Sequence, residues 1–174
     1  MTTPPPAETP PPTETPPPMG TISNWTLTLT ASVPDSAADG GVNYNRLVAG
    51  EDAGATDLFD NGRDVRALLA GSLEAYFDHS ADANYGSYSK QIWRDIRAPG
   101  LPKTWSLIVK AESGAEVTLR WTLPAEGATC STSQFVLEDV DGVVGRTDMC
   151  SNGFLVYTSD GPLKHFMLKV SQRS

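Results

Sequence analysis

The sequence predicts an all-β domain: an antiparallel two-sheet β-sandwich, immunoglobulin-like or jelly-roll-like, with eight to nine strands and little or no helix. Three observations predict it. Apolar and polar residues alternate in run after run, the period of a half-buried strand. Turn residues interrupt the runs at intervals of about eight to twelve residues. No apolar spacing of 3.6 residues is sustained over the length of a helix. A small barrel is the alternative arrangement of the same strands.

The strands are read in order. In residues 25–33, Trp25, Leu27, Leu29, Ala31 and Val33 share one face, and Thr26, Thr28, Thr30 and Ser32 the other. After a small-residue turn at 34–41, residues 43–49 form a second strand, followed by a long acidic loop. A turn or two around Asp64–Leu73 is the best helical candidate. Residues 73–79 form a strand with Leu73, Ala75 and Phe77 inward. A Gly/Ser/Tyr loop follows, then a presumed strand carrying Asp95 and Arg97. The second half reads as hairpin-like units. Residues 104–112 and 116–124 flank Ser113-Gly114 and place Trp105 and Trp121 inward. Residues 134–140 and 143–149 flank Asp141-Gly142, a type I′ hairpin signal. Residues 153–159 and 163–172 flank Asp160-Gly161-Pro162.

Ahead of this domain, residues 1–19 carry three proline triplets separated by Ala-Glu-Thr and Thr-Glu-Thr. Proline fixes φ and lacks an N–H, so the run favours an extended polyproline II rod of roughly 45 Å. The boundaries are therefore a disordered proline-rich linker at 1–19 and the β domain at 20–174. The linker suggests a module of a larger secreted or cell-surface protein. Any signal peptide is then expected upstream, since Met1-Thr2-Thr3 does not begin one.

Charge and hydropathy narrow the partners. The chain carries a net charge of −8, of which Glu8 and Glu14 account for two. Its basic residues are scattered, which argues against nucleic acid. No apolar stretch is long enough for a transmembrane helix, so membrane insertion is not expected.

Cys130 and Cys150 stand twenty residues apart beside turn residues. That placement suits a disulfide between loops, which an oxidising compartment would favour; two free thiols are the alternative. Glu51, Asp52, Asp57, Asp60 and Asp64 lie within fourteen residues. Asp52, Asp57, Asp60 and Asp64 are candidate ligands for a structural calcium ion, which favours carboxylate and loop-carbonyl oxygens. The alternatives are turn capping, or a salt bridge to Arg97 or Arg94. Asp95 and Arg97 share a face, and an inward Arg97 needs a carboxylate partner, which this loop could supply. Trp25, Trp105 and Trp121 fall in inward phase and read as core. Tyr85, Tyr88 and Trp93 lie in or beside a Gly/Ser-rich loop and are the candidate ligand platform for a polysaccharide. Trp93 has an ambiguous phase, since Ile92 and Ile96 claim the opposite face, and core is its alternative reading. Glu138 and Asp139 point to opposite faces, and His79 and His165 have no local nucleophile motif, so an enzyme is not expected.

Several of these pieces together resemble a known but uncharacterised domain. They are the opening strand Trp25–Ala31, Leu47-x-x-Gly50 leading to Gly54-Ala55-Thr56-Asp57-x-Phe59-Asp60, and Asp64-Val65. Leu73-x-Ala75-Tyr76-Phe77, Asp95-Ile96-Arg97, Trp105-x-x-x-Val109 and Val117-Thr118-Leu119-x-Trp121 continue the pattern. The arrangement is similar to a β-sandwich domain recurring in bacterial secreted and cell-surface multi-domain proteins. Arg66-Ala-Leu-Leu-Ala-Gly71 stands where that domain has a proline-rich stretch. The resemblance implies a fold and a setting, not an activity. The expectation is a non-catalytic adhesion or structural interaction module whose partners are other domains of a parent surface protein. The alternative is a carbohydrate-binding module tethered to a glycoside-active enzyme.

Overall fold

The structure, a computed structural model, describes residues 24–69, 71–83, 85–86, 90–161 and 163–173. The proline-rich segment 1–19 lies outside the described residues, as does Tyr88. Eleven strands are formed among the described residues. They are β1 (Trp25–Pro34), β2 (Val42–Glu51), β3 (Val65–Arg66), β4 (Leu73–Asp78), β5 (Gln91–Arg97), β6 (Lys103–Ala111), β7 (Glu116–Thr122), β8 (Ser133–Asp139), β9 (Arg146–Asp148), β10 (Phe154–Thr158) and β11 (Lys164–Gln172). The helical content among them is one 3-10 turn at Asp39–Gly41.

The all-β expectation holds, but the two-sheet sandwich does not. The strands form a single sheet in the order β10-β7-β1-β2-β5-β4-β6-β11-β8-β9, with β3 added to β5. The sheet is mixed, because β2 and β5 run parallel. It curls until it is nearly closed into a barrel. Its two edge strands, β9 and β10, are consecutive in the chain, and residues 149–153 bridge the gap. Trp121 Nε1 holds that bridge by donating to the carbonyls of Met149 (2.9 Å) and Asn152 (2.8 Å).

Continuity of the sheet depends on β5. Its start pairs with β4, Ile92 opposite Phe77. Its end pairs with β2, Arg94 to Arg97 alongside Val48 to Glu51. Two of the three hairpin-like units of the sequence reading are also not hairpins. β6 pairs with β4 and β11, whereas β7 pairs with β1 and β10. β10 and β11 are likewise not neighbours. Alternation shows which face of each strand is inward, but it carries no information about which strand lies alongside.

The β8–β9 hairpin forms, with Val136 opposite Asp148. Its six-residue connection is not the expected type I′ turn, which needs φ > 0 at both central residues. The positive φ values fall on Gly142 (75°) and Gly145 (82°), and not on Asp141. Asp139 organises the loop by accepting from the backbone N–H groups of Asp141 (3.1 Å) and Val144 (2.7 Å). Nor does Asp64–Leu73 become a helix. The N–H of Ala67 donates to the Gln91 carbonyl at 2.9 Å, so this backbone is satisfied by β5 and not by its own preceding turn.

Strand phases follow the sequence closely. Leu27, Leu29 and Ala31 are fully buried, and so are Leu107, Leu119, Phe135, Phe166 and Leu168. Trp105 sits at the centre of this core. Trp25 meets its ring edge-on at 5.9 Å and in turn meets Phe135 at 6.0 Å. Such pairs contribute about 0.5–1.5 kcal/mol each beyond the area they bury.

Cys130 and Cys150 form a disulfide with Cα atoms 5.7 Å apart. It joins the approach to β8 to the bridge that follows β9. Replacing both cysteines by alanine should lower unfolding stability by about 3 kcal/mol, the entropy of a closed loop of this length. Urea unfolding of the double variant measures this, and an unchanged midpoint would contradict it.

Candidate functional site

A cavity of about 840 Å³ opens where β2, β3 and β5 meet. Tyr44 and Arg46 reach it from the outward phase of β2, and Trp93 from β5. Phe59, Asn61 and Arg66 complete its walls. Trp93 gets there through a bulge. Val65 pairs with Arg94 and Arg66 with Ile92, so Trp93 is the extra residue of β5. A bulge re-aims a side chain without breaking the strand. Trp93 is half-buried, neither sunk in the core nor fully displayed.

The three residues of the expected ligand platform do not come together. Tyr85 is 3% exposed and stacks flat on His79, ring centroids 3.7 Å apart. Burial pushes its phenol well above the ordinary tyrosine range. Tyr88 lies outside the described residues. Trp93 is joined instead by Tyr44, which is 65% exposed and which the sequence reading did not single out. The signal was present: Tyr44 and Arg46 alternate with Asn45 and Leu47. What it lacked was the neighbour, since β5 lies far along the chain.

The acidic loop does not gather its carboxylates. Asp52 accepts from Arg63 Nε at 3.1 Å and from the Gly54 N–H at 2.8 Å. Asp57 pairs with Lys103 at 2.6 Å. Asp60 caps the Thr56 N–H. Asp64 accepts from the Asp60 N–H at 2.7 Å and, across the chain, from the Ile96 N–H at 2.8 Å. Each carboxylate thus has its own partner. No three of the described His, Cys, Asp or Glu side chains converge as a metal site. Glu51 is turned inward as well, accepting from Trp25 Nε1 (2.9 Å) and the Gly100 N–H (3.1 Å). Burial pushes the carboxyls of Glu51 and Asp64 above their usual range, despite these hydrogen bonds.

Behind the groove lies a buried charge network. Phe59, in the groove wall, meets Tyr85 edge-on, and Tyr85 covers His79. His79 Nε2 donates to Asp95 at 2.9 Å. Arg97 donates to the same carboxylate at 2.8 Å and also to the Thr104 carbonyl at 2.8 Å. The guanidinium lies 5.1 Å over the Trp105 ring. Arg97 therefore takes its partner from its own strand and not from the acidic loop. A His–Asp pair does arise, but at 7% and 0% exposure it is closed to any substrate.

Burial alone would raise the pKa of Asp95. The hydrogen bonds from His79 and Arg97, with the Arg97 charge, outweigh it and hold the carboxyl below its usual range. The sign follows by linkage. A depressed carboxylate contributes stability that is full above its unfolded pKa, about 4, and is lost as pH falls through the lower folded value. Asp64 and Glu51 are shifted the other way, so their contributions are full at acid pH and fade as pH rises through their raised values. Asp95→Asn should therefore flatten the loss of stability below about pH 4. Unfolding midpoints across that range test this, and an unaltered acid limb would contradict it.

Arg97→Ala leaves a fully buried carboxylate with one partner fewer. It should lower stability by about 3–5 kcal/mol, the range for breaking a buried pair. A loss within about 0.5 kcal/mol, typical of surface positions, would show that the pair adds nothing.

Comparison of the chain with protein-family models, with curated proteins and with solved structures finds no match, so what this site can do follows from its geometry alone.

Proposed function

We propose that the protein is a non-catalytic extracellular interaction module whose groove receives a polysaccharide. The observation that carries the reading is the placing of Tyr44 and Trp93 in the walls of one open groove, with Arg46, Asn61 and Arg66 beside them. Aromatic faces pack against the apolar faces of sugar rings, and amide and guanidinium groups bond the hydroxyl rims. Pockets of this mixed kind, several hundred Å³ in volume, are the usual form of a ligand site. The titratable groups behind the groove are engaged with one another, which supports binding and not turnover.

The proline-rich segment supports attachment to other domains of a parent surface protein. The disulfide supports an oxidising compartment, and with it secretion or display at the cell surface. A purely structural role is the second reading, favoured by the burial of Tyr85, Trp25, Trp105 and Trp121.

A panel of soluble and insoluble polysaccharides tests the reading. Wild type should be retained by at least one polymer. Trp93→Ala and Tyr44→Ala should each weaken that binding by about three- to tenfold, with thermal stability preserved. Retention by none, or equal binding by both variants, would leave the structural role.

A further inference from the structure

The outer face of the sheet beside the groove has a composition of its own. Strand register places Arg46, Thr30, Arg120 and Phe154 in one row across β2, β1, β7 and β10. The rows on either side bring Ser32 opposite Thr118 and Thr28 opposite Thr122. These positions alternate with buried Leu27, Leu29, Ala31 and Leu119, so they face outward. The strip thus carries hydroxyls and two arginines, bordered on β10 by exposed Phe154 and Val156; these three rows hold no acidic side chain, and Glu116 opens the next row on β7.

Both arginines are exposed, and neither forms an ion pair among the described residues. Elsewhere Arg63, Arg97, Lys103, Lys110, Lys164 and Lys169 each hold a carboxylate, while Lys90, Arg94, Arg146 and Arg173, like Arg46 and Arg120, form no ion pair among the described residues. Arg120 lies over the Phe154 ring at 5.2 Å, which steadies it without neutralising it. Two strand spacings separate the backbones of Arg46 and Arg120, roughly 10 Å, with Thr30 between them. Arg46 also belongs to the groove wall, so groove and strip are continuous.

We infer that this strip continues the groove as a binding track for an acidic polysaccharide, with Arg46 and Arg120 each receiving an anionic group of the chain. The inference rests on the binding-module reading above and names its ligand class. A guanidinium binds a planar carboxylate through two parallel hydrogen bonds and binds sulfate oxygens comparably. The threonine and serine hydroxyls between them both donate and accept, as sugar hydroxyls require. A neutral glycan could take hydrogen bonds from the two guanidinium groups but would leave their charges without a counter-charge. A nucleic acid would need a denser run of cations than two.

The test uses the full chain and three probes: polygalacturonate for carboxylate, dextran sulfate for sulfate, and carboxyl-reduced polygalacturonate as the neutral control. Affinity electrophoresis should show binding to at least one acidic polymer and weaker binding to the neutral one. Raising salt from about 50 to about 500 mM should weaken it, because exposed charges are screened. Arg46→Gln and Arg120→Gln should each weaken it by about fivefold, and the double variant by tenfold or more. Arg146→Gln, on β9, should leave it unchanged, and melting temperatures should stay at the wild-type value. Equal binding of acidic and neutral polymers, with the double variant unimpaired, would overturn the acidic ligand and leave the binding module standing. Failure of wild type to bind these polymers or any in the wider panel would overturn both.

Discussion

Asp95 is a carboxylate with no exposed surface, set in the strand that makes the sheet continuous. Removing such a group from water is costly unless its oxygens are satisfied by charged donors in good geometry. Arg97 and His79 supply those donors, and each brings a different part of the chain with it. His79 follows directly after β4. Arg97 reaches on to the Thr104 carbonyl of β6. One carboxylate therefore locks β5 to the two strands beyond it, while the other end of β5 pairs with β2. Asp64 makes a matching tie from the loop side by accepting from the Ile96 N–H on the same strand. The parallel β2–β5 pairing itself spans four register pairs, extended by the Asp52 N–H donating to the Arg97 carbonyl at 3.0 Å.

The groove is a consequence of the same strand. β5 serves β4 with its first residues and β2 with its last, so the sheet bends there, and β3 attaches across a bulge. Trp93 is the extra residue at that bulge and lines the same cavity as Tyr44. The inner side of β5 is thereby committed to holding charge, and its irregular side to a surface hollow. Phe59 and Tyr85 separate the two, which keeps Asp95 dry while the groove stays open.

A second buried ion pair closes the opposite region by the same logic. Lys164, only 4% exposed, contacts the buried Asp139 at 3.2 Å. Asp139 also caps the hairpin loop after β8, so its carboxylate joins β11 to that loop. Burial would raise its pKa, but the backbone N–H donors of Val144 and Asp141, with Lys164, hold it below the usual range. Acidification therefore weakens the Asp95 and Asp139 ties together. The disulfide and the Trp121 hydrogen bonds restrain the remaining gap by means indifferent to pH in that range.

Trp25, Leu27 and Leu29 announced their burial in the sequence, because alternation along one strand is local and reports directly which face meets the core. The same was true of Leu107 and Leu119, and the turn setting of Cys130 and Cys150 suited the disulfide that forms. The candidate site was only half legible. Trp93 was singled out, but Tyr85 proved to be a cover for His79, and Tyr44 passed unremarked as one outward residue among several. The partner of Arg97 was sought in the acidic loop, although Asp95 stood two residues away, because nothing local shows which of several carboxylates is buried with it. The sequence by itself determined that the chain is β, where most of its longer strands run and which side chains in them face inward, but it missed the short strand Val65–Arg66. The tertiary structure decided which strands are neighbours, that they form one curled sheet and not two, and which distant side chains share a groove. These are long-range pairings, and a residue's own periodicity contains no term for the strand that will lie beside it.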